Sequence, residues 1–368
     1  MREKLTEEDK RFKLNRRKTK GDKKMKAAFL IGKKKVVIDD IPSPEIKKET
    51  DVLVRIRRVG ICGSDIHYFL EGRIGDQIVK DRIILGHEAA GDVIETGKGV
   101  KRVKKGQKVA IEPGISCGVC QQCVRGKPNL CPDVRFFGTP PVDGALREFV
   151  VVPESNLYPL QEGLDYNEGV LSEPLAIGLY GVRLSGFSVG DSVAIVGAGP
   201  IGLSILFSVI SGGARKVFVS DLLPSRLEMA KKLGADRVVL ASEEDIVDVV
   251  KKETDGIGVD IGYEAAGKRE TFRQSTDVAR IGGKAVIYGI PEDDRIEFDA
   301  HSIRRKELSI INVRRSAHTT ELALGLIAKS SLPFSSLVTH TFPLDKIEDA
   351  LNIVAEYKDG VIKAVINI

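Results

Sequence analysis

The sequence has only five cysteines in 368 residues, no tryptophan, no short-period repeat, and no charged n-region followed by an apolar h-region at its start. The missing leader pattern sets the expected location in the cytoplasm, where thiols stay reduced, and the odd cysteine count also argues against a disulfide framework. Charge of one sign is lacking as well. Residues 1–24 hold eleven of the 57 Lys and Arg and five of the 52 Asp and Glu, which leaves 46 basic against 47 acidic residues in the body. The net +5 therefore belongs to a basic extension over 1–24, expected to be disordered or a frayed helix, and no nucleic-acid partner is expected. Glu3, Glu7, Glu8, Asp9 and Asp22 make that extension too acidic for a transit peptide, and the folded unit is expected to open at Met25. A charge-free run over 193–210 is long enough for a membrane span, but GAGP interrupts it, so a strand, turn and buried helix are expected and no membrane partner.

What cysteine there is falls into two patterns. Cys117, Cys120, Cys123 and Cys131 form a C-x2-C-x2-C-x7-C cluster, while Cys62 stands alone in GICGSDIHYF. Four closely spaced thiolates suit a closed structural zinc site. An iron–sulfur cluster is disfavoured, because the familiar ferredoxin run places its fourth cysteine three residues on and here the gap is seven.

The length points to two domains, and apolar and charged fractions of 42% and 30% are those of a soluble globular chain. Short apolar runs at 52–54, 90–94 and 108–111 between glycine or charged turns indicate a β-rich first part. From about Phe187 the texture becomes alternating strands (193–196, 217–220, 238–240, 259–262, 284–289) and helices (224–233, 244–252), the pattern of a doubly wound parallel sheet. In that sheet Gly197, Ala198, Gly199, Pro200, Ile201 and Gly202 give G-x-G-x-x-G after the strand VAIV, and Asp221 ends the next strand. Gly197 permits the tight turn, Gly199 lets the backbone approach a pyrophosphate, and Gly202 lets helix and strand pack closely. Asp221 would accept the ribose hydroxyls and repel a 2′-phosphate, which favours NAD; Arg226 nearby is the residue that could accommodate NADP.

Cys62, His67 five residues on, and the pair His87–Glu88 make a second constellation. A lone cysteine is ordinarily a small buried hydrophobe, and a His–Glu pair ordinarily belongs to a surface or cap. Beside a dinucleotide motif, a thiolate, an imidazole and a carboxylate fit a zinc site with an open position, able to act on an alcohol oxygen.

Together GICGSDIHYFLEGRIGDQIV, LGHEAAG, the four-cysteine lobe, LSEPLA, VAIVGAGPIGL and VTHTFPLDKIEDAL resemble the zinc-dependent medium-chain dehydrogenases, and among them most the sorbitol (L-iditol) dehydrogenases. The resemblance runs from Met25 to Ile368. It implies a GroES-like β-rich catalytic domain over 25–183 with its zinc lobe at about 113–133, a Rossmann NAD-binding domain over 184–320, and a return to the catalytic domain over 321–368. It also implies a catalytic zinc on Cys62, His87 and Glu88, with Glu173 beside the zinc-bound water or a ligand itself, and a structural zinc on the other four cysteines. Ser64 and His67 take the proton-relay places, and Tyr68, Phe136, Thr139 and Arg315 line a polyol pocket. The expected reaction is oxidation of a secondary alcohol of a polyol to a ketose with hydride transfer to NAD, in a homo-oligomer, a tetramer before a dimer. Ser316 follows Arg315 where sorbitol dehydrogenases carry tyrosine, which leaves the polyol open. A threonine, butanediol, xylitol or cyclitol dehydrogenase would share most of these motifs. A non-catalytic NAD-binding regulator would keep GAGPIG without needing Cys62, His87 and Glu88 together.

Overall fold

The computed structural model describes residues 24–293 and 295–368. The basic extension, apart from Lys24, lies outside the described residues.

The strand Asp51–Gly60 organises the first sheet, which has seven strands among the described residues. Val52, Val54 and Ile56 are fully buried at the two-residue period of a strand, while Arg55 between them is exposed. Opposite Glu88–Thr96 the register then slips between Ile56 and Arg58, so that Val59, three residues after Ile56, also faces inward. That bulge sets how the strand delivers Gly60, Ile61 and Cys62. Gly60 lies opposite Glu88, and a side chain there would begin 2.1 Å from the Glu88 carboxylate, so this position has room only for glycine. Lys363–Asn367, the last strand, pairs antiparallel with Asp51–Gly60 and parallel with Val338–Pro343, which brings the end of the chain back to this sheet.

The second sheet is the six-stranded parallel one that the alternating pattern predicts. Counted along the chain its order is 3-2-1-4-5-6, and its central strand Ser192–Val196 is buried throughout. The helix expected at 244 begins instead at Ile246, because Asp245 caps it by accepting from the Val247 amide at 2.7 Å. The strand expected at 284–289 is Ala279–Ile287, which starts earlier and ends two residues sooner.

One helix joins the two cores. Tyr166–Leu184 starts at an Asp165–Glu168 capping box, packs Val170 against Ala90 and Val365 of the first sheet, and packs Leu171, Leu175 and Leu179 into the core around Val193 and Ile195. Glu173 therefore sits between them. No helix among the described residues is long and apolar enough to cross a membrane.

Candidate active site

Cys62 is the N-cap of the helix Gly63–Glu71, and Asp65 closes a capping box by accepting from its backbone amide at 2.9 Å. The other Asp65 oxygen accepts from the Gly86 amide at 3.1 Å and stands 3.8 Å from His87 Nδ1. One buried carboxylate thus fixes both segments that carry candidate ligands. Atoms of Cys62, His87 and Glu88 lie within 4.8 Å of one another. Zinc ligands at about 2.0–2.3 Å require comparable separations, and a thiolate, imidazole and carboxylate are donors zinc accepts. Burial works against a charged imidazole, yet Asp65, Cys62 and Glu173 outweigh it and lift His87 well above its ordinary value. The sulfur and oxygen donors gathered around His87 favour a cation at this spot.

Glu88 is held by Lys363, whose ammonium donates to its two oxygens at 2.6 and 2.7 Å and to the Ile61 carbonyl at 3.0 Å. Glu173 stands outside the trio. It is buried, its Oε2 has no partner among the described residues, and burial pushes its carboxyl up to about 8, with His87 drawing it down and Glu88 and Glu112 adding to the rise.

Phe136 links this centre to the expected substrate residues. Its ring lies 5.5 Å from the His87 ring, and the Arg315 guanidinium carbon lies 4.4 Å from its centroid. Arg315 Nη1 is buried without a partner among the described residues, and burial, then Arg314, lowers its pKa to about 10. Tyr68 is 2% exposed, interacts with Thr139, and places its hydroxyl 3.4 Å from Gln77 Oε1. Ser316 is buried beside Arg315. Ser64 and His67 are half-buried on the helix that Cys62 caps, and burial lowers the His67 imidazole, with Glu292 and Lys268 as its charged neighbours.

The glycine turn has the geometry its sequence requires. Gly197 has φ +101°, and a side chain on Gly202 would start 1.8 Å from the Gly197 carbonyl oxygen. Gly199 is the N-cap of the helix Pro200–Ser211, with Ile201 in its first turn. Asp221 ends Lys216–Asp221, accepts from the Ala198 amide at 2.7 Å and the Leu223 amide at 2.9 Å, and lies 3.7 Å from Arg226 Nη1. The carboxylate is therefore both a candidate ribose acceptor and a brace for the phosphate turn.

In the lobe, neighbouring sulfurs lie 3.5 Å apart for Cys120–Cys123 and Cys117–Cys131, and 4.0 Å for Cys117–Cys123. A tetrahedron of sulfurs at about 2.3 Å from zinc has an edge of about 3.8 Å, so the four fit one ion without rearrangement. All five cysteines are free thiols. The Val119 and Cys120 amides, the latter 3.3 Å from Cys117 Sγ, lower the Cys117 thiol to about 7.

Sequence reasoning passed over Asp65, Lys363 and Glu264. Asp65 carried a signal, as the third residue after a helix N-cap. Lys363 carried one too, since a lysine in the apolar strand VIKAVINI requires a buried partner. Glu264 is fully buried and accepts from the Ala266, Gly267 and Gly289 amides and the Thr271 hydroxyl, fixing the loops beside the glycine turn.

Comparison with known proteins agrees with this geometry. Residues 48–162 match the alcohol dehydrogenase GroES-like domain, and residues 200–329 match the zinc-binding dehydrogenase model. The chain is 35% identical to sorbitol dehydrogenase of Bacillus subtilis over 93% of its own length and 97% of that protein. It is 38% identical to probable D-xylulose reductase A of Arthroderma otae, over 88% and 92% of the two chains. A crystal structure of an Escherichia coli oxidoreductase/dehydrogenase of unknown specificity superposes with a TM-score of 0.88 at 35% identity, covering 94% of this chain and 99% of that one.

Proposed function

The chain belongs to the zinc-dependent medium-chain alcohol dehydrogenases, and from that premise we propose that it oxidises a secondary hydroxyl of a polyol to a ketone, passing the hydride to NAD. The observation that carries the polyol is Arg315, a half-buried arginine whose Nη1 is buried with no partner among the described residues, stacked on the ring that also meets His87. A substrate whose carbinol reaches the Cys62, His87 and Glu88 centre would have that donor alongside, and further hydroxyls are the groups that would accept from it.

When bound, zinc supplies Lewis acidity at the carbinol oxygen, and the nicotinamide supplies the hydride acceptor. Cys62, His87 and Glu88 would hold the metal, Asp65 keeps the Cys62 and His87 segments together, and Lys363 seats Glu88. Gly197, Gly199 and Gly202 shape the turn for the pyrophosphate, and Asp221 takes the ribose hydroxyls. Tyr68 and Arg315 orient the neighbouring substrate hydroxyls. The hydroxyl proton leaves along Ser64 and His67, and Glu173, whose carboxyl burial keeps protonated near neutrality, stands beside that path.

Residues 25–183 with 321–368 form the catalytic domain in this scheme and 184–320 the cofactor domain; the pairing of Lys363–Asn367 with Asp51–Gly60 supports that division. A cytoplasmic homotetramer is the expected setting, and light scattering reads its mass directly. The decisive experiment is a steady-state panel of sorbitol, xylitol, ribitol, inositols, butanediol and L-threonine, each with NAD and NADP. One of the polyols with NAD should give the highest kcat/KM. A preference for L-threonine or for butanediol overturns the substrate class.

A further inference from the structure

We infer that the four-cysteine lobe is the scaffold of substrate recognition, and that Asn129 within it is a positioning residue for Arg315. This rests on the polyol reading above.

The lobe grows from a short two-stranded stem, Gly114–Ile115 paired antiparallel with Arg135–Phe136. The ring under the Arg315 guanidinium thus belongs to the stem itself. Asn129, 6% exposed, donates from Nδ2 to the Arg314 carbonyl at 2.9 Å and to the Tyr180 hydroxyl at 3.1 Å. Tyr180 lies on the helix that also carries Glu173, so Asn129 braces three elements at once. On the far side of Arg315, the His318 ring nitrogen lies 3.2 Å from the Gly126 carbonyl, again in the lobe.

The segment held in this way needs holding. Arg315 and His318 both have φ +56°, in the left-handed region that non-glycine residues seldom adopt without surrounding support. Thr319 fastens its end to the Ala176 carbonyl at 2.8 Å, and Thr320 fastens to Glu112. Its beginning is tied by the Arg314 carbonyl, and the Asn129 amide is the side-chain donor that reaches it. Without that bond the backbone at Arg315 can relax from φ +56°, and the guanidinium leaves its place over Phe136. Neither of the two Asn129 hydrogen bonds reaches Cys62, His87 or Glu88. Asn129 therefore acts on the recognition of distant hydroxyls and leaves the reacting one alone.

The test uses the full-length, metal-loaded enzyme with its preferred polyol and a simple secondary alcohol, 2-butanol, as the pair whose kcat/KM ratio is read. In Asn129→Ala the polyol KM should rise about tenfold, with the 2-butanol parameters, the metal content and the NADH dissociation constant unchanged. Asn129→Asp, nearly isosteric but without the donor, should behave alike, which separates the lost bond from a folding defect. Limited trypsin digestion supplies a readout besides activity: cleavage after Arg314 or Arg315 should speed up in both variants. Arg315→Ala is the reference. A ratio that falls in Arg315→Ala but holds in both Asn129 variants, with unchanged trypsin cleavage, overturns the inference alone. Equal losses on both alcohols in the Asn129 variants also overturn it. A ratio that does not move even in Arg315→Ala overturns the polyol reading beneath it.

Discussion

Lys363 and Glu88 form a fully enclosed ion pair, each side chain 1% exposed, in which one ammonium meets both carboxylate oxygens and also the carbonyl of Ile61. The last strand thereby holds a candidate metal ligand against the strand that delivers Cys62. Burial alone would lower the Lys363 ammonium, but Glu88 and Cys62 outweigh it and the net shift is upward.

Removing one member of such a pair leaves the other charged and unpaired in the interior, which costs about 3–5 kcal/mol. Lys363→Ala should therefore lower the melting temperature sharply and release metal from the Cys62 centre. Lys363→Arg, which retains the charge, should recover part of the stability. Differential scanning fluorimetry with metal analysis measures both effects, and an unchanged melting curve in Lys363→Ala contradicts the assigned pair.

The separation of the partners explains what was legible before the fold was known. The cysteine cluster and the glycine turn declare themselves because each is a local spacing, with one metal or one phosphate contacting residues close in sequence. Lys363 and Glu88 are 275 positions apart, and Asn129 and Arg314 are 185 apart. Local pattern can mark Lys363 as a lysine in need of a buried partner, but it does not say which residue that partner is. The βαβ alternation predicted a parallel sheet, but the register slip after Ile56, which aims Cys62, leaves only Val59 out of period as its trace. The Glu88 and Glu173 alternatives differ in placement: Glu88 lies with Cys62 and His87 within 4.8 Å, and Glu173 keeps a buried oxygen with no partner among the described residues.

Metal content should distinguish the two cysteine groups. The wild-type chain should carry two zinc ions. Cys62→Ser should carry one, lose turnover, and bind NADH as before. Cys120→Ser should lose the other ion and melt lower, because a closed thiolate site contributes folding energy. Atomic emission with NADH fluorescence titration reads these outcomes. Two ions retained in either variant would remove that residue from its site.

His67 carries a pH prediction. Burial, the largest influence, lowers its imidazole below the ordinary value of about 6.5, Glu292 works in the opposite direction, and Lys268 adds to the lowering. A relay base must be neutral to accept a proton, so its protonation is deferred to more acid solution. For alcohol oxidation kcat/KM should hold from neutrality down to about pH 6.5 and fall only below it. In His67→Gln that acid limb should vanish and the neutral-pH rate should drop by about 100-fold or more. An acid limb unchanged in the variant takes His67 out of the proton path.

Asp221 does two things at once, and its variants should separate them. Its carboxylate braces the Ala198 and Leu223 amides and stands 3.7 Å from Arg226 Nη1, so Asp221→Ser removes both a turn anchor and a negative charge. Loss of the anchor should weaken both cofactors, with NADH affinity falling about tenfold. Loss of the charge should act on NADP alone, because it ends the repulsion of the 2′-phosphate and frees Arg226 to meet it. The kcat/KM ratio of NADP to NAD should then rise about a hundredfold, and adding Arg226→Ala should cancel most of that gain. If the double variant keeps the gain, Arg226 is not the group that meets the phosphate. If the ratio never moves, the carboxylate braces the turn and does not select the cofactor.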